Sequence, residues 1–286
     1  MFQVTPIGTC RIHNPLRGAI GKYPVDYYVP RTYGYTHTSN EALQQLDFME
    51  GALEFPPHVV PGIFRGGSSP AQYRGSWQTP HLAVVEISST KLIHADGYSL
   101  QTRYLSQHFA EFFGIPERSR TFWALANQKP DELPDFLEQD PLFRSMRDDD
   151  RKLLSSIRMR QQSFDELAAD MGALAERIGA DKLLFVTHIN ALDEKRRKLA
   201  GREKLIRWVE RIAEDLQVPC FNPTRLMLQY GQENALENGG RDTTHYTPAF
   251  YSTVYAHLHR EYFAPTLQRL RATSGRLAGS VDGSIP

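Results

Sequence analysis

Apolar Phe2 and Val4 lead into Ile7-Gly8-Thr9-Cys10-Arg11, a pattern that predicts a first β-strand ending at a glycine with a thiol just beyond it. From His13 to Gly34 the chain is rich in Pro, Gly and Tyr, with a second apolar stretch at Val25 to Val29. Leu43, Leu46 and Phe48 share part of one face of a helix over 41–50, for which Asn40 serves as the cap. Phe55 to Gly75 reads as a long, ordered surface loop. Leu82 to Ile87 is a continuous apolar run broken only by Glu86, the signature of a buried parallel strand, and it runs into Ser88-Ser89-Thr90. The section from about Leu100 to Arg160 is helical and polar, with Pro116, Pro130, Pro134 and Pro141 and a charge cluster from Arg144 to Lys152. It is too long for a simple crossover and reads as an insertion or lid over 100–162.

Ser163-Phe164-Asp165-Glu166 has the capping-box spacing and opens a helix to Ile178, stopped by Gly179. Lys182 to Thr187 is a third core strand ending in His188-Ile189-Asn190. A charged helix over 193–216 follows, with Leu199, Ile206, Val209 and Ile212 as its apolar stripe, then a short strand from Val218 to Phe221. Thr247-Pro248 starts the last helix, whose Phe250, Val254, Leu258 and Tyr262 recur every four residues until Pro265 ends or kinks it. Strands alternating with helices predict an α/β fold: a mainly parallel sheet flanked by helices. We expect one domain over 1–273, with the insertion inside it and a loose tail over 274–286. Cys10, Ser88, Asn190 and the Asp242–His245 segment then all fall at the carboxyl ends of strands, where open α/β sheets bind ligands.

Composition narrows the class. The 286 residues are 41% hydrophobic and 23% charged, with a formal net charge of zero, so no global field favours nucleic acid. No run is apolar enough to span a membrane and the first residues lack a signal-peptide pattern, which points to a cytoplasmic protein. Cys10 and Cys220 are the only cysteines, too few for a disulfide framework and wrongly spaced for zinc. With no P-loop, no dinucleotide fingerprint and no His-Glu-x-x-His, the expectation is no metal.

The candidate chemistry lies in Cys10 and in Asp242-Thr243-Thr244-His245. A thiol, an imidazole and a carboxylate are the parts of an activated nucleophile: His245 takes the proton of Cys10, and Asp242 orients the ring. Oxyanion donors are available from the Cys10 N–H, the Ser88 and Ser89 region and the Asn190 amide. His188 and His13 are alternative bases or substrate contacts. Each feature also has a structural reading: an inert buried thiol for Cys10, a helix cap for Asn190. Arg11, Lys195 and Arg196 are the basic side chains placed to meet phosphates, although Lys195-Arg196-Arg197 also reads as a solvated helix face.

Gly8-Thr9-Cys10, Asn190 and Asp242 to His245 follow the block order of the SGNH, or GDSL-like, hydrolase and acyltransferase superfamily, with cysteine in place of the nucleophilic serine. With the Val85-Glu86-Ile87-Ser88-Ser89 strand, the chain most resembles capsule-polysaccharide enzymes of the WcbI type and the related GSCFA proteins. That resemblance implies a flavodoxin-like sheet and acetyl transfer from acetyl-CoA to a sugar or polysaccharide-precursor hydroxyl. The residues alone support acyl transfer. They leave open an esterase or thioesterase with the same triad, and a non-catalytic binding protein on the same scaffold.

Overall fold

The computed structural model describes residues 2–22, 27–28, 32–65 and 70–279. The chain divides into two compact units, one formed by residues 1–31, 80–86 and 178–286 and the other by 32–79 and 87–177.

The first unit holds a five-stranded sheet. Its strands are β1 (Phe2–Ile7), β2 (Tyr27–Tyr28) and β3 (Leu82–Ile87), and later in the chain Leu183–Thr187 and Cys220–Phe221. β1 runs parallel to both β2 and β3, and the last two strands run parallel to each other. Counted within the sheet, the spatial order is 2-1-3-4-5, the flavodoxin-like order, whose topological switch point lies between β1 and β3. Even-numbered strand residues Phe2, Val4, Leu82, Val84, Leu184 and Val186 share one core. Into it pack Ile12 and Leu16 of the helix Cys10–Gly18 and Phe250, Val254, Tyr255 and Leu258 of the helix Pro248–Leu258. The alternate residues Ala83, Val85, Leu183 and Phe185 are buried too, so both faces of the sheet are covered, as a parallel sheet requires.

The second unit carries a three-stranded antiparallel sheet of β4 (Lys91–Ala95), β5 (Tyr98–Ser99) and β6 (Arg158–Gln161), with β4 in the centre. Asp96 and Gly97, both at positive φ, make the tight turn between β4 and β5, the role for which Asp-Gly is suited. The stretch expected as an insertion over 100–162 lies wholly in this unit, which also takes in 32–79 and continues to Arg177. The two remaining strands of the first unit are β7 (Leu183–Thr187) and β8 (Cys220–Phe221).

Several local expectations are met atom by atom. Ser163 N–H donates to Glu166 Oε2 at 2.8 Å and Glu166 N–H to Ser163 Oγ at 3.2 Å, a reciprocal capping box. Thr247 Oγ1 accepts the Phe250 N–H, with Pro248 at the first helical position. Others are corrected. The Pro-, Gly- and Tyr-rich segment from His13 to Gly34 starts inside a helix over Cys10–Gly18. Of the Val25–Val29 stretch, residues 27–28 form β2 and the others lie outside the described residues. The helix expected at 41–50 starts at Ser39, and its cap is Thr38, whose side chain accepts the Glu41 N–H, not Asn40.

The loop expected on the surface over 55–75 instead buries Phe55, Val59, Ile63 and Phe64. Phe48 and Phe55 stack at 4.7 Å, so this segment supplies aromatic core, because its large rings bury more than its turns cost. Its residues 66–69 are outside the described residues. Pro265 does not end the last helix: a π-turn over His259–Phe263 precedes it and the helix continues over Ala264–Gly279. The wider turn closes with the Ala264 N–H bonded to His259 O, one residue before the proline, which has no N–H to donate. The tail expected from Ser274 is therefore helical to Gly279, and 280–286 lie outside the described residues.

His13 is buried in the first unit. Burial, with help from Arg17, pushes its pKa down to about 3 from the ordinary 6.5. The imidazole stays neutral in the fold while the unfolded chain protonates near 6.5, so stability is complete above that pH and falls as pH drops from 6.5 toward 3. Urea unfolding at pH 7 and pH 4 should show a smaller stability loss for His13→Leu than for the parent; equal losses would contradict a neutral buried His13.

Candidate active site

Gly8 ends β1 at φ 156°, and a Cβ there would lie 2.6 Å from Glu86 Cβ and 2.8 Å from Ile12 Cδ1. Only glycine lets the end of β1 approach β3 and the next helix this closely. Thr9 caps that helix by accepting the Arg11 N–H at 3.3 Å. Cys10 is therefore the first helical residue, at the β1/β3 switch point and at the positive end of a helix, where thiolates are favoured. Neither cysteine forms a disulfide. Burial, and then Glu210, push the Cys220 thiol up to about 12, which leaves it protonated and inert at neutral pH.

Glu86 is the feature the sequence reading passed over. Its Oε2 accepts both the N–H and the hydroxyl of Thr9, at 2.8 and 2.5 Å. Its Oε1 accepts the Arg11 Nε at 2.6 Å, in an ion pair whose side chains are 3% and 1% exposed. Burial works against the Arg11 charge, but Glu86 outweighs it and the pKa is raised; Tyr246 and Cys10 add smaller attractions. Arg11 is thus enclosed, not set on a surface where a phosphate would meet it. Its Nη1 continues to Thr244 O at 3.2 Å, so one hydrogen bond joins the residue after Cys10 to the residue before His245. The signal in the sequence was the single carboxylate inside an apolar strand, which a buried strand tolerates only with a partner.

The carboxylate–imidazole pair sits on a hairpin. Thr247 N–H bonds to Ala235 O, Leu236 bridges to Tyr246, and Glu237 N–H donates to His245 O at 3.0 Å. Asp242 organises the tip: Oδ1 accepts the N–H groups of Thr244 and His245 at 2.8 and 3.1 Å, and Oδ2 accepts His245 Nδ1–H at 2.9 Å. Partial burial opposes the Asp242 charge, but the bonds from the His245 ring and the two N–H groups win, and its pKa is lowered. The ring is thereby held with Nε2 turned away from Asp242. Glu237 lies directly across the hairpin from His245, and ligand atoms of Glu237, Asp242 and His245 are within 4.8 Å of one another. Since Asp242 and His245 already engage each other, we read the group as a hydrogen-bonded pair with a third carboxylate close by. Arg202, unnoticed in the sequence, donates to Thr243 O at 2.5 Å. Burial and the nearby Arg11 lower its pKa to about 10, so it remains a cation at neutral pH.

The other expected residues divide. Asn190 is buried; its N–H bonds to Thr224 Oγ1 and its Oδ1 accepts the Leu199 N–H at 3.0 Å. Its amide nitrogen makes no hydrogen bond among the described residues. His188 is buried, with Nδ1–H donated to Ile189 O at 2.7 Å. The N–H groups of Ser88 and Ser89 both donate to His37 O at 2.8 Å, the Ser88 hydroxyl donates to the same oxygen at 3.3 Å, and the Ser89 hydroxyl accepts the Lys91 N–H at 2.9 Å. Lys195 and Arg196 do not open a helix. The Asp193 side chain accepts the N–H groups of Lys195 and Arg197, a local turn that competes with helix formation. The helix starts at Ala200. Arg196 lines a cleft of about 380 Å³ with Asp193, Glu194, Glu233, Arg241 and Thr243.

An open parallel sheet thus carries a thiol at its switch point and a His–Asp pair on a neighbouring hairpin. The TviD N-terminal domain family matches residues 2–261, and the chain belongs to it. The Vi polysaccharide biosynthesis protein TviD of Salmonella typhi is 39% identical over 259 residues, 90% of this chain and 31% of that protein. The chain thus spans less than a third of that relative's length. Similar solved structures include a lipase/acylhydrolase from Enterococcus faecalis, 10% identical, covering 91% of this chain and 95% of that one at a TM-score of 0.45. Another is an acetyl xylan esterase from Geobacillus stearothermophilus, 11% identical, with 91% and 94% covered at a TM-score of 0.44.

Gly8→Ala should cost about 2–4 kcal/mol, from a disfavoured backbone conformation and the clash with Glu86 and Ile12 together. Denaturant unfolding of the two proteins measures it, and a loss under about 0.5 kcal/mol would show that the turn can open.

Proposed function

We propose that the chain is an acyltransferase that moves an acetyl group from acetyl-CoA to a sugar hydroxyl in polysaccharide biosynthesis, with Cys10 as nucleophile, His245 as acid and base, and Asp242 as its orienting carboxylate. The observation that carries this reading is the 2.9 Å His245–Asp242 bond on a loop whose Thr244 is tied to the residue beside Cys10. The name of the Salmonella typhi relative supports polysaccharide biosynthesis as the setting.

In this reading His245 Nε2 takes the proton of the Cys10 thiol, and the thiolate attacks the thioester carbonyl. The tetrahedral intermediate collapses to acetyl-Cys10 as the CoA thiolate leaves, taking the proton from His245. The sugar hydroxyl then gives its proton to His245 and attacks the acyl group, restoring the thiol. The Cys10 N–H at the helix start and the Asn190 amide nitrogen would serve as oxyanion donors. For the CoA phosphates, Arg196 in the cleft beside Thr243 is the better placed of the two basic residues, with exposed Lys195 next to it. Hydrolysis is the second reading, favoured by His245 being 46% exposed, since a wet site admits water as acceptor.

Intact mass spectrometry with acetyl-CoA should show one acetyl adduct that survives denaturation and is absent from Cys10→Ala. His245→Ala and Asp242→Asn should lower turnover at least about a hundredfold. Release of free acetate without acetylated sugar would select hydrolysis, and an unmodified protein with neither product would leave ligand binding as the function.

A further inference from the structure

The pair Arg11–Glu86 is expensive to hold inside a protein, and a buried ion pair is often no more stabilising than apolar side chains of the same volume. What it supplies here is position. One carboxylate on β3 holds both residues that flank Cys10, Thr9 through Oε2 and Arg11 through Oε1. The far end of Arg11 holds Thr244, the neighbour of His245. The planar guanidinium gives these bonds fixed directions that a lysine ammonium lacks. Its charge also attracts that of Cys10, and a cation beside a thiol favours the thiolate.

We propose that Arg11 and Glu86 are positioning residues for acyl transfer, fixing the Cys10 turn and the His245 loop to one point on β3 and placing a guanidinium beside the thiolate. This rests on the acyl-transfer reading above for its catalytic meaning, but not for its test. The other charged and titratable groups in this neighbourhood are Tyr246, buried below Arg11, and Arg202 and Asp242 on the side of the Thr243–Thr244 turn, with His245 beyond Thr244 and His13 one helical turn after Cys10.

The test uses the full chain with Cys220→Ala, so that iodoacetamide reports Cys10 alone. Alkylation rates from pH 5 to 10, and kcat and KM for acetyl transfer, are compared for the parent, Arg11→Lys, and the charge-free double variant Arg11→Met/Glu86→Leu. In the double variant the alkylation profile should move about one pH unit upward, with about tenfold slower labelling at pH 7. Arg11→Lys should keep the labelling profile and lose kcat with little change in KM, because the charge stays and the two-ended bond does not. A folded double variant that labels as the parent does would overturn the proposal, and so would a folded Arg11→Lys with parental kcat. If the double variant does not fold, Arg11→Lys decides alone. Labelling needs no acyl donor, so a Cys10 that responds to Arg11 in a protein without transferase activity would refute acyl transfer and sustain the guanidinium's role.

Discussion

The carboxylate of Glu86 sits where water does not reach, near the carboxyl end of a strand whose other residues are apolar. A charge in that position is tolerated only if donors surround it, and the donors are the N–H and hydroxyl of Thr9 and the guanidinium of Arg11. Those partners decide the conformation of the turn between β1 and the first helix. Gly8 permits the approach, Thr9 caps the helix, and Cys10 is left at its first position. The same guanidinium reaches a loop 233 residues further along the chain, so a local electrostatic requirement becomes a long-range register.

The sheet order explains why these parts can meet. In a 2-1-3-4-5 sheet the chain leaves β1 in one direction and β3 in the other, and the gap between their carboxyl ends is open to a ligand. The Asp242–His245 hairpin is built independently, with backbone pairing through Leu236 and Tyr246 and an Asp242 carboxylate that orders its own loop before it orders the imidazole. Tyr246 anchors the hairpin in the core shared with Ile12 and Phe250. The two pieces are thus built separately and joined through the Arg11–Thr244 bond.

The family and the geometry bear on different questions. Membership of the TviD N-terminal domain family gives the chain its kinship, while the arrangement of its own thiol, imidazole and carboxylate is the ground for the proposed chemistry. The second unit has its own core of stacked aromatics around Phe48, Phe55 and Phe64. No helix among the described residues is long and apolar enough to cross a membrane.

Local physics in the sequence was sufficient for the core strands at Leu82 and Leu183, the capping box at Ser163, the Thr247-Pro248 start and the pairing of Asp242 with His245, three residues apart. Each depends on neighbours within a few positions, so periodicity and side-chain chemistry were enough. The Asp96-Gly97 hairpin was equally legible and was overlooked. The role of Glu86, the enclosure of Arg11 and the engagement of Ser88 by His37 depend on partners 75, 233 and 51 residues away, which no window along the chain contains. Apolar and turn residues in the 55–75 segment pointed in opposite directions, and burial chose between them. The sequence by itself determined which groups were reactive and how short segments would fold; only the tertiary structure decided which of those groups were enclosed, paired or left free to act, because burial and charge pairing are properties of residues brought together across the chain.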